Sequence, residues 1–86
     1  MHTRKEIVPN NLREYRQKAG LTQKQVSELL GFTNEVSLCH WEKGKNIPNL
    51  INLFKLCNLY ETSPLALYKE LSESHQKPTI LKKFNS

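Results

Sequence analysis

One stretch constrains the fold more than any other: residues 21–48, which read LTQKQVSELLGFTNEVSLCHWEKGKNIP. It contains two short segments with the apolar spacing of helices, and Gly31 lies between them. The second segment carries Trp41 and stops at Gly44, which is flanked by two lysines. Because glycine accepts the left-handed backbone that ends helices, the pattern predicts two brief helices joined by a tight bend.

The length and charge of the chain narrow its class and its partners. Its 86 residues leave room for one small domain with a modest core. Thirteen lysines and arginines against eight acidic residues give a net charge of +5, and the pI is about 9.4. This balance favours an anionic partner such as nucleic acid, but it also serves solubility alone. The net charge alone does not distinguish binding of an anionic partner from solubility.

Several other classes of protein are not expected. Cys39 and Cys57 do not form a CxxC pair, and a zinc site needs more ligands, so we predict no metal, no cofactor and reduced thiols in the cytoplasm. The N-terminal MHTRKEIVPN lacks the apolar core of a secretion signal, and no run is long enough to span a membrane. An enzyme is not expected, because there is no nucleophile–base arrangement and no phosphate loop.

Residues 10–72 carry helical patterns and are predicted to form the folded domain, between a flexible basic arm (1–9) and a polar basic tail (73–86) that is disordered or a short interaction segment. The first helix should begin at Asn10 or Asn11, either of which can cap it, and end at Gly20. The predicted inward-facing residues of this helix are Leu12, Tyr15 and Ala19.

The second and third helices are predicted from their caps. Thr22 and Gln25 have the spacing of a capping box, and Asn34 is a good cap for the third helix. Gly31 and Gly44 should end the two helices. The predicted core residues here are Val26, Leu29, Leu30, Phe32, Leu38 and Trp41.

The fourth and fifth helices follow Pro48. The fourth should start near Asn49, and Ser63 with Pro64 should cap and open the fifth. The predicted inner face of the fourth helix is Leu50, Leu53, Phe54 and Cys57. The predicted inner face of the fifth helix is Leu67, Tyr68 and Leu71.

Residues 11–71 resemble the Cro- and repressor-type helix-turn-helix family, also called the xenobiotic-response-element family. The resemblance rests on GLTQ, the leucine-rich second helix that ends in glycine, WEKGK, the proline after it and the leucine-rich fourth helix. It implies an all-α, five-helix, lambda-repressor-like domain with the helix-turn-helix as helices two and three. It also implies a sequence-specific regulator of transcription, usually a repressor, that binds double-stranded DNA as a homodimer on an inverted repeat.

The resemblance assigns roles to individual residues. Thr22 and Gln23 would lie beside a phosphate at the start of helix two, and the glutamine of the family also touches a base or braces a side chain of helix three. Arg16 and Glu42 would form an internal ion pair. The implied base-reading residues are Asn34, Glu35, Val36, Ser37 and His40. The implied phosphate-holding residues at the end of helix three are Lys43, Lys45 and Asn46.

The chain departs from the family pattern at two places. One more residue than usual lies between Gly31 and Trp41, which lengthens the turn or shifts the start of helix three. Glu61 replaces the glycine that usually ends helix four.

Two alternative functions remain open on the sequence. One is the antitoxin of a toxin–antitoxin pair, which would bind a toxin as well as DNA. The other is a protein-interaction module without DNA readout, which would use the apolar residues Leu59, Tyr60, Leu65 and Leu67.

Overall fold

The computed structural model describes residues 7–74, and all regular secondary structure in this range is helical. The six helices in chain order are α1 (Leu12–Lys18), α2 (Gln23–Leu29), α3 (Val36–Glu42), α4 (Leu50–Tyr60), α5 (Pro64–Leu67) and α6 (Lys69–Ser74). The predicted all-α fold is confirmed. The expected fifth helix is interrupted at Tyr68, whose backbone leaves the helical region, and this gives α5 and α6. The predictions for residues 1–6 and 75–86 lie outside the described residues.

Side-chain caps fix the starts of three helices. The capping box of α2 is confirmed, because Thr22 Oγ1 accepts the Gln25 N–H at 3.0 Å and Gln25 Oε1 accepts the Thr22 N–H at 2.9 Å. Asn49 and Ser63 cap α4 and α5 through single bonds of 2.8 and 3.1 Å. Each cap satisfies a backbone donor that has no partner within its own helix.

The two asparagines before α1 connect it to distant parts of the chain. Asn10 Oδ1 accepts the Leu12 N–H at 3.1 Å, and its Nδ2 donates to the Trp41 carbonyl at 3.2 Å. Asn11 makes no side-chain cap, and its Nδ2 instead donates to the Ala66 carbonyl at 3.1 Å. The start of α1 is thereby tied to the end of α3 and to α5.

The core lies where α1–α5 meet. Its ten buried hydrophobic residues are Leu12, Val26, Leu30, Leu38, Trp41, Leu56, Cys57, Tyr60, Leu67 and Tyr68. Phe32 packs edge-on against Trp41 with ring centroids 5.9 Å apart, as expected of a residue plugging the core below the turn. The inward assignments of Ala19 and Leu29 are wrong, because both side chains are exposed.

Helix α4 turns a different face to the core from the one predicted. Leu50 and Phe54 are 64% and 50% exposed, so their inward assignment is wrong. Leu56 and Tyr60 are buried instead, together with the correctly assigned Cys57. The backbone of Glu61 then takes the left-handed conformation, with φ 53° and ψ 53°, in the place of the family's glycine. Helix α4 therefore ends with the left-handed backbone that the family's glycine would adopt. Glu61 adopts it less favourably than glycine, because its Cβ lies too close to the backbone there.

The segment before α1 is fastened to the loop after α3. The Val8 N–H donates to the Gly44 carbonyl at 2.8 Å, and Val8 packs against the core. A Cβ at Gly44 would lie 2.5 Å from the Val8 carbonyl oxygen, and Gly44 has a φ of +78°. Val8, within the predicted arm of residues 1–9, is therefore joined to the loop after α3 by an inter-segment hydrogen bond.

Candidate nucleic-acid interface

The turn between α2 and α3 determines which residues of α3 face outward. Helix α3 begins at Val36, and Glu35 occupies its N-cap position, one residue later than the predicted cap Asn34. Asn34 Oδ1 accepts the Val36 N–H at 3.0 Å, whereas Glu35, the residue directly before the helix, makes no side-chain cap. Asn34 and Glu35 thus belong to the turn.

Exposure along α3 separates a core face from an outward face. Leu38 and Trp41 are buried as predicted, while Val36 is 53% exposed. Val36, His40 and Lys43 follow one another at spacings of four and three, so they share one side of the helix. Ser37 lies beside them and is half-buried, as is His40. The outward face therefore consists of one apolar side chain, one hydroxyl, one imidazole and one cation.

A buried ion pair joins α1 to α3. Arg16 Nε donates to Glu42 Oε2 at 2.6 Å and Arg16 Nη2 donates to Oε1 at 3.2 Å, so the guanidinium grips the carboxylate with two bonds. The side chains are 11% and 4% exposed. The hydrogen bond to Glu42 raises the pKa of Arg16 against the opposing effect of burial. Arg16 Nη1 also donates to the Leu21 carbonyl at 2.9 Å, so the same group fixes the turn before α2.

Gln23 joins this network from α2. Its Nε2 donates to Glu42 Oε1 at 2.9 Å, so the carboxylate accepts from side chains of both α1 and α2. The resemblance implied that this glutamine touches a base or braces a side chain of helix three. In the structure it braces Glu42 of α3. The angle of α3 to α1 and α2 is therefore held by charge-assisted bonds as well as by apolar packing.

A polar cleft of about 490 Å³ opens over this network, between α1, α2 and α3. It brings together part of the predicted set, namely Arg16, Thr22, Gln23, Glu35, Glu42 and Lys43. It also contains three residues that the sequence reasoning missed, which are Arg13, Lys24 and Cys39. The remaining predicted residues do not line the cleft; these are Asn34, Val36, Ser37, His40, Lys45 and Asn46.

The cations around the cleft are available to an anionic ligand. Arg13, Lys24, Lys43 and Lys45 are all exposed, and none of them forms an ion pair within residues 7–74. Arg13 was detectable in the sequence, because it lies three residues before Arg16 and so shares its side of α1. Two acids line the cleft: Glu42 is neutralised by its ion pair with Arg16, and Glu35 has no ion pair among the described residues. The other charged side chains of the lining are cations that suit an anionic ligand.

Comparison with known proteins agrees with this architecture. The profile of the Helix-turn-helix family matches residues 12–67. The chain therefore belongs to this family, in its Cro- and repressor-type branch, as the sequence predicted. It is also 37% identical over 76 residues to the HTH-type transcriptional regulator ImmR of Bacillus subtilis (strain 168). That alignment covers 86% of this chain but 59% of the relative, so the chain spans well under two thirds of the relative's length.

No solved structure gives a significant match to the chain. No helix within residues 7–74 is both long and apolar enough to cross a membrane. In the same range, no three His, Cys, Asp or Glu side chains lie close enough to hold a metal ion.

Proposed function

We propose that the chain is a sequence-specific, double-stranded DNA-binding regulator of transcription that acts as a repressor. The observation that carries the proposal is the braced helix α3, whose exposed face lies beside four exposed cations without ion pairs among the described residues. A helix held in this way can enter the major groove while the cations meet the phosphates on either side. The Bacillus relative, which is named as a transcriptional regulator, supports the same role.

The outward face of α3 would read the bases. Val36 offers an apolar contact to a thymine methyl group, and Ser37 accepts or donates with little selectivity. His40 would donate to guanine or to a phosphate. Asn34 and Glu35 reach the groove from the turn, where Asn34 can pair with adenine and Glu35 can accept from a cytosine amino group.

Two groups of residues would hold the phosphates. Lys43, Lys45 and Asn46 lie at and just beyond the end of α3. Thr22 and Gln23 lie at the start of α2, where Arg13 and Lys24 add positive charge on the same cleft. Phosphate contacts of this kind set the register of the protein on the duplex, and base contacts set the sequence that it prefers.

Selection from random duplex DNA at about 0.15 M salt tests the proposal, because nonspecific phosphate attraction is weakened there. One enriched motif with two inverted halves is expected, since the family implies a homodimer. Weak and salt-sensitive binding to every sequence would refute sequence-specific readout. The protein-interaction hypothesis would then take its place, and binding to a co-expressed toxin would distinguish the antitoxin.

Two substitutions test the division of labour on the selected motif. Lys43→Ala should lower affinity for all sequences alike and reduce the slope of log K against log salt by about 1, because one phosphate contact is lost. His40→Ala should relax preference at one base position. Lys55→Ala, at an exposed lysine on α4, is the control and should change neither quantity. Equal losses from Lys43→Ala and His40→Ala on every sequence would contradict the assignment.

A further inference from the structure

The backbone at the end of α3 forms a closed turn. The Gly44 N–H donates to the Trp41 carbonyl at 3.0 Å. The Lys45 N–H donates to the His40 carbonyl at 2.9 Å. With Gly44 at a φ of +78°, these two bonds form a Schellman motif, which satisfies carbonyls left open at the end of a helix. Lys43 and Lys45, to which we assign phosphate contacts, are both part of this turn, so its geometry sets where they lie.

The side chain of Asn10 binds this turn from outside the helix-turn-helix. Its Nδ2 donates to the carbonyls of Trp41 at 3.2 Å and Glu42 at 3.4 Å, and also to the Val8 carbonyl at 3.1 Å. The Val8 N–H in turn donates to the Gly44 carbonyl at 2.8 Å. Residues 8 and 10 therefore donate to three carbonyls at the end of α3, and Asn10 also holds Val8 in place.

These bonds leave the DNA-facing side chains free. They go to backbone carbonyls, whereas Lys43 and Lys45 are exposed and form no ion pair within residues 7–74. A bond to the backbone fixes the position of a neighbouring lysine without occupying its ammonium group. Because a loop that is ordered before binding loses less conformational freedom on contact, such support strengthens binding without touching the ligand.

Asn10 also makes a local bond, which an experiment must separate from the bonds to α3. Its Oδ1 accepts the Leu12 N–H, two residues on, at 3.1 Å. A serine hydroxyl can accept the same kind of local bond, but it ends one bond short of the amide nitrogen and so loses the two carbonyls of α3. Asn11 supplies a matched control, because its Nδ2 donates to the distant Ala66 carbonyl in α5 at 3.1 Å. Both asparagine side chains are half-buried.

We propose that Asn10 is a positioning residue for DNA binding, whose amide holds the end of α3 so that Lys43 and Lys45 meet the phosphates. The proposal rests on the proposed function, and it gives a part in DNA binding to a residue that lies before α1 and touches no DNA itself.

The variant is Asn10→Ser, and the control is Asn11→Ser. Fluorescence anisotropy with a labelled duplex of the selected motif is measured over a series of salt concentrations, after titration of the active fraction. Asn10→Ser should lower affinity about fivefold to tenfold for all sequences alike and reduce the slope of log K against log salt by about 1–2, because up to two phosphate contacts are lost. Asn11→Ser should keep the wild-type slope. A variant that is only less stable has fewer active molecules but an unchanged slope.

A double-mutant cycle tests whether Asn10 acts through the two lysines. In a Lys43→Ala/Lys45→Ala background, measured at low salt where binding is stronger, Asn10→Ser should change affinity by less than about twofold, because the groups that it positions are gone.

Three results would overturn the proposal. Asn10→Ser could keep the affinity and salt slope of wild type, the control could be impaired as much as Asn10→Ser, or the full effect could persist without the two lysines. If circular dichroism shows that a serine variant is unfolded, Asn10→Asp and Asn11→Asp replace the pair, since aspartate keeps the acceptor and lacks the N–H donor.

The proposed function can fail separately. The absence of an enriched motif would refute sequence-specific readout, but phosphate contacts carry no sequence information, so the salt slopes on an arbitrary duplex would still test the role of Asn10. The absence of binding to any duplex at low salt would refute both proposals.

Discussion

The two sides of this small domain are held together in different ways. On the α1–α3 side, Arg16, Gln23 and Glu42 form a hydrogen-bonded network, and its charges are matched. On the α4–α6 side, packing is apolar, and the hydroxyl of Tyr68 is buried without a hydrogen-bond partner among the described residues. Directional bonds fix the angle of a helix, whereas apolar packing tolerates small shifts. The polar side therefore suits the surface that we propose to contact DNA in one register, and the apolar side is less constrained in direction.

The largest expected effect comes from breaking the polar network. Glu42→Ala leaves the Arg16 guanidinium and the Gln23 amide without their shared acceptor in a nearly buried place. We expect a loss of about 3–5 kcal/mol in the free energy of unfolding, as is typical when one partner of a buried ion pair is removed. Urea denaturation measures it. Glu28→Ala, at an exposed acid on α2, is the control and should cost under about 0.5 kcal/mol.

A result for Glu42→Ala near that of Glu28→Ala would mean that the network contributes nothing net to folding. The contrast between the two sides of the domain would then lie in geometry alone and not in stability.

The next largest loss of stability is expected where residues 7–8 are hydrogen-bonded to the loop after α3, a contact that we call the strap. Gly44→Ala forces a non-glycine residue into the left-handed region, which costs about 1–2 kcal/mol. It also places a Cβ 2.5 Å from a backbone atom of Val8, so the strap must move. We expect a total loss of about 2–3 kcal/mol in chemical denaturation and weaker DNA binding, because Lys43 and Lys45 flank the displaced backbone.

Gly20→Ala separates the two causes of that loss. Gly20 also has a positive φ, of 76°, but a Cβ added to it would meet no other atom within 4 Å. It should therefore show the backbone cost without the strap displacement. Equal losses at the two glycines would mean that the strap is not important for stability.

The sequence predicted the polar side better than the apolar side, and the reason is physical. The Thr22–Gln25 capping box follows from local spacing, and Arg16 with Glu42 followed from the family resemblance. Helix α4 has apolar residues at eight of its eleven positions, so its periodicity could not choose a buried face. Helix α4 packs against α5, which follows it directly, and against α1, which is distant in sequence, and this packing buries Leu56 and leaves Phe54 exposed.

Part of the candidate interface also could not be predicted from the sequence. Arg13 and Lys24 were missed because they fall outside the family's motif. The spacing of Arg13 to Arg16 would have indicated Arg13, whereas Lys24 comes to the cleft through the folded arrangement of α1 and α2. The cap position of α3 was misplaced by one residue, because Glu35 occupies it and the Asn34 side chain accepts the Val36 N–H from within the turn. A side-chain cap is visible in sequence, but its register depends on how the turn is packed.

Replacing Glu61 by glycine should stabilise the apolar side. Glu61 is exposed and has a φ of 53°, where glycine has no Cβ penalty. The Thr62 N–H bond to the Cys57 carbonyl, at 2.9 Å, should persist and keep the end of α4 unchanged. Glu61→Gly should raise the free energy of unfolding by about 1 kcal/mol, measured by thermal and urea denaturation. Glu70→Gly, at an exposed acid within α6, should instead destabilise.

The smallest expected change in stability comes from Tyr68, on the apolar side of the domain. Its hydroxyl is buried without a partner among the described residues, so Tyr68→Phe removes an unsatisfied polar group and should stabilise the domain by about 0.5 kcal/mol at neutral pH. Burial raises the pKa of Tyr68 to about 12, whereas an unfolded tyrosine titrates near 10. Between these values the folded chain binds more protons than the unfolded chain, so stability must fall as pH rises.

Urea denaturation from pH 8 to pH 12 measures this fall, and Tyr68→Phe should show a shallower one than wild type. Burial also raises the pKa of Tyr60, so Tyr60→Phe should reduce the fall in the same direction. Parallel curves for Tyr68→Phe and wild type would mean that the Tyr68 phenol ionises as easily in the folded chain as in the unfolded one. The apolar side would then be open to water at Tyr68.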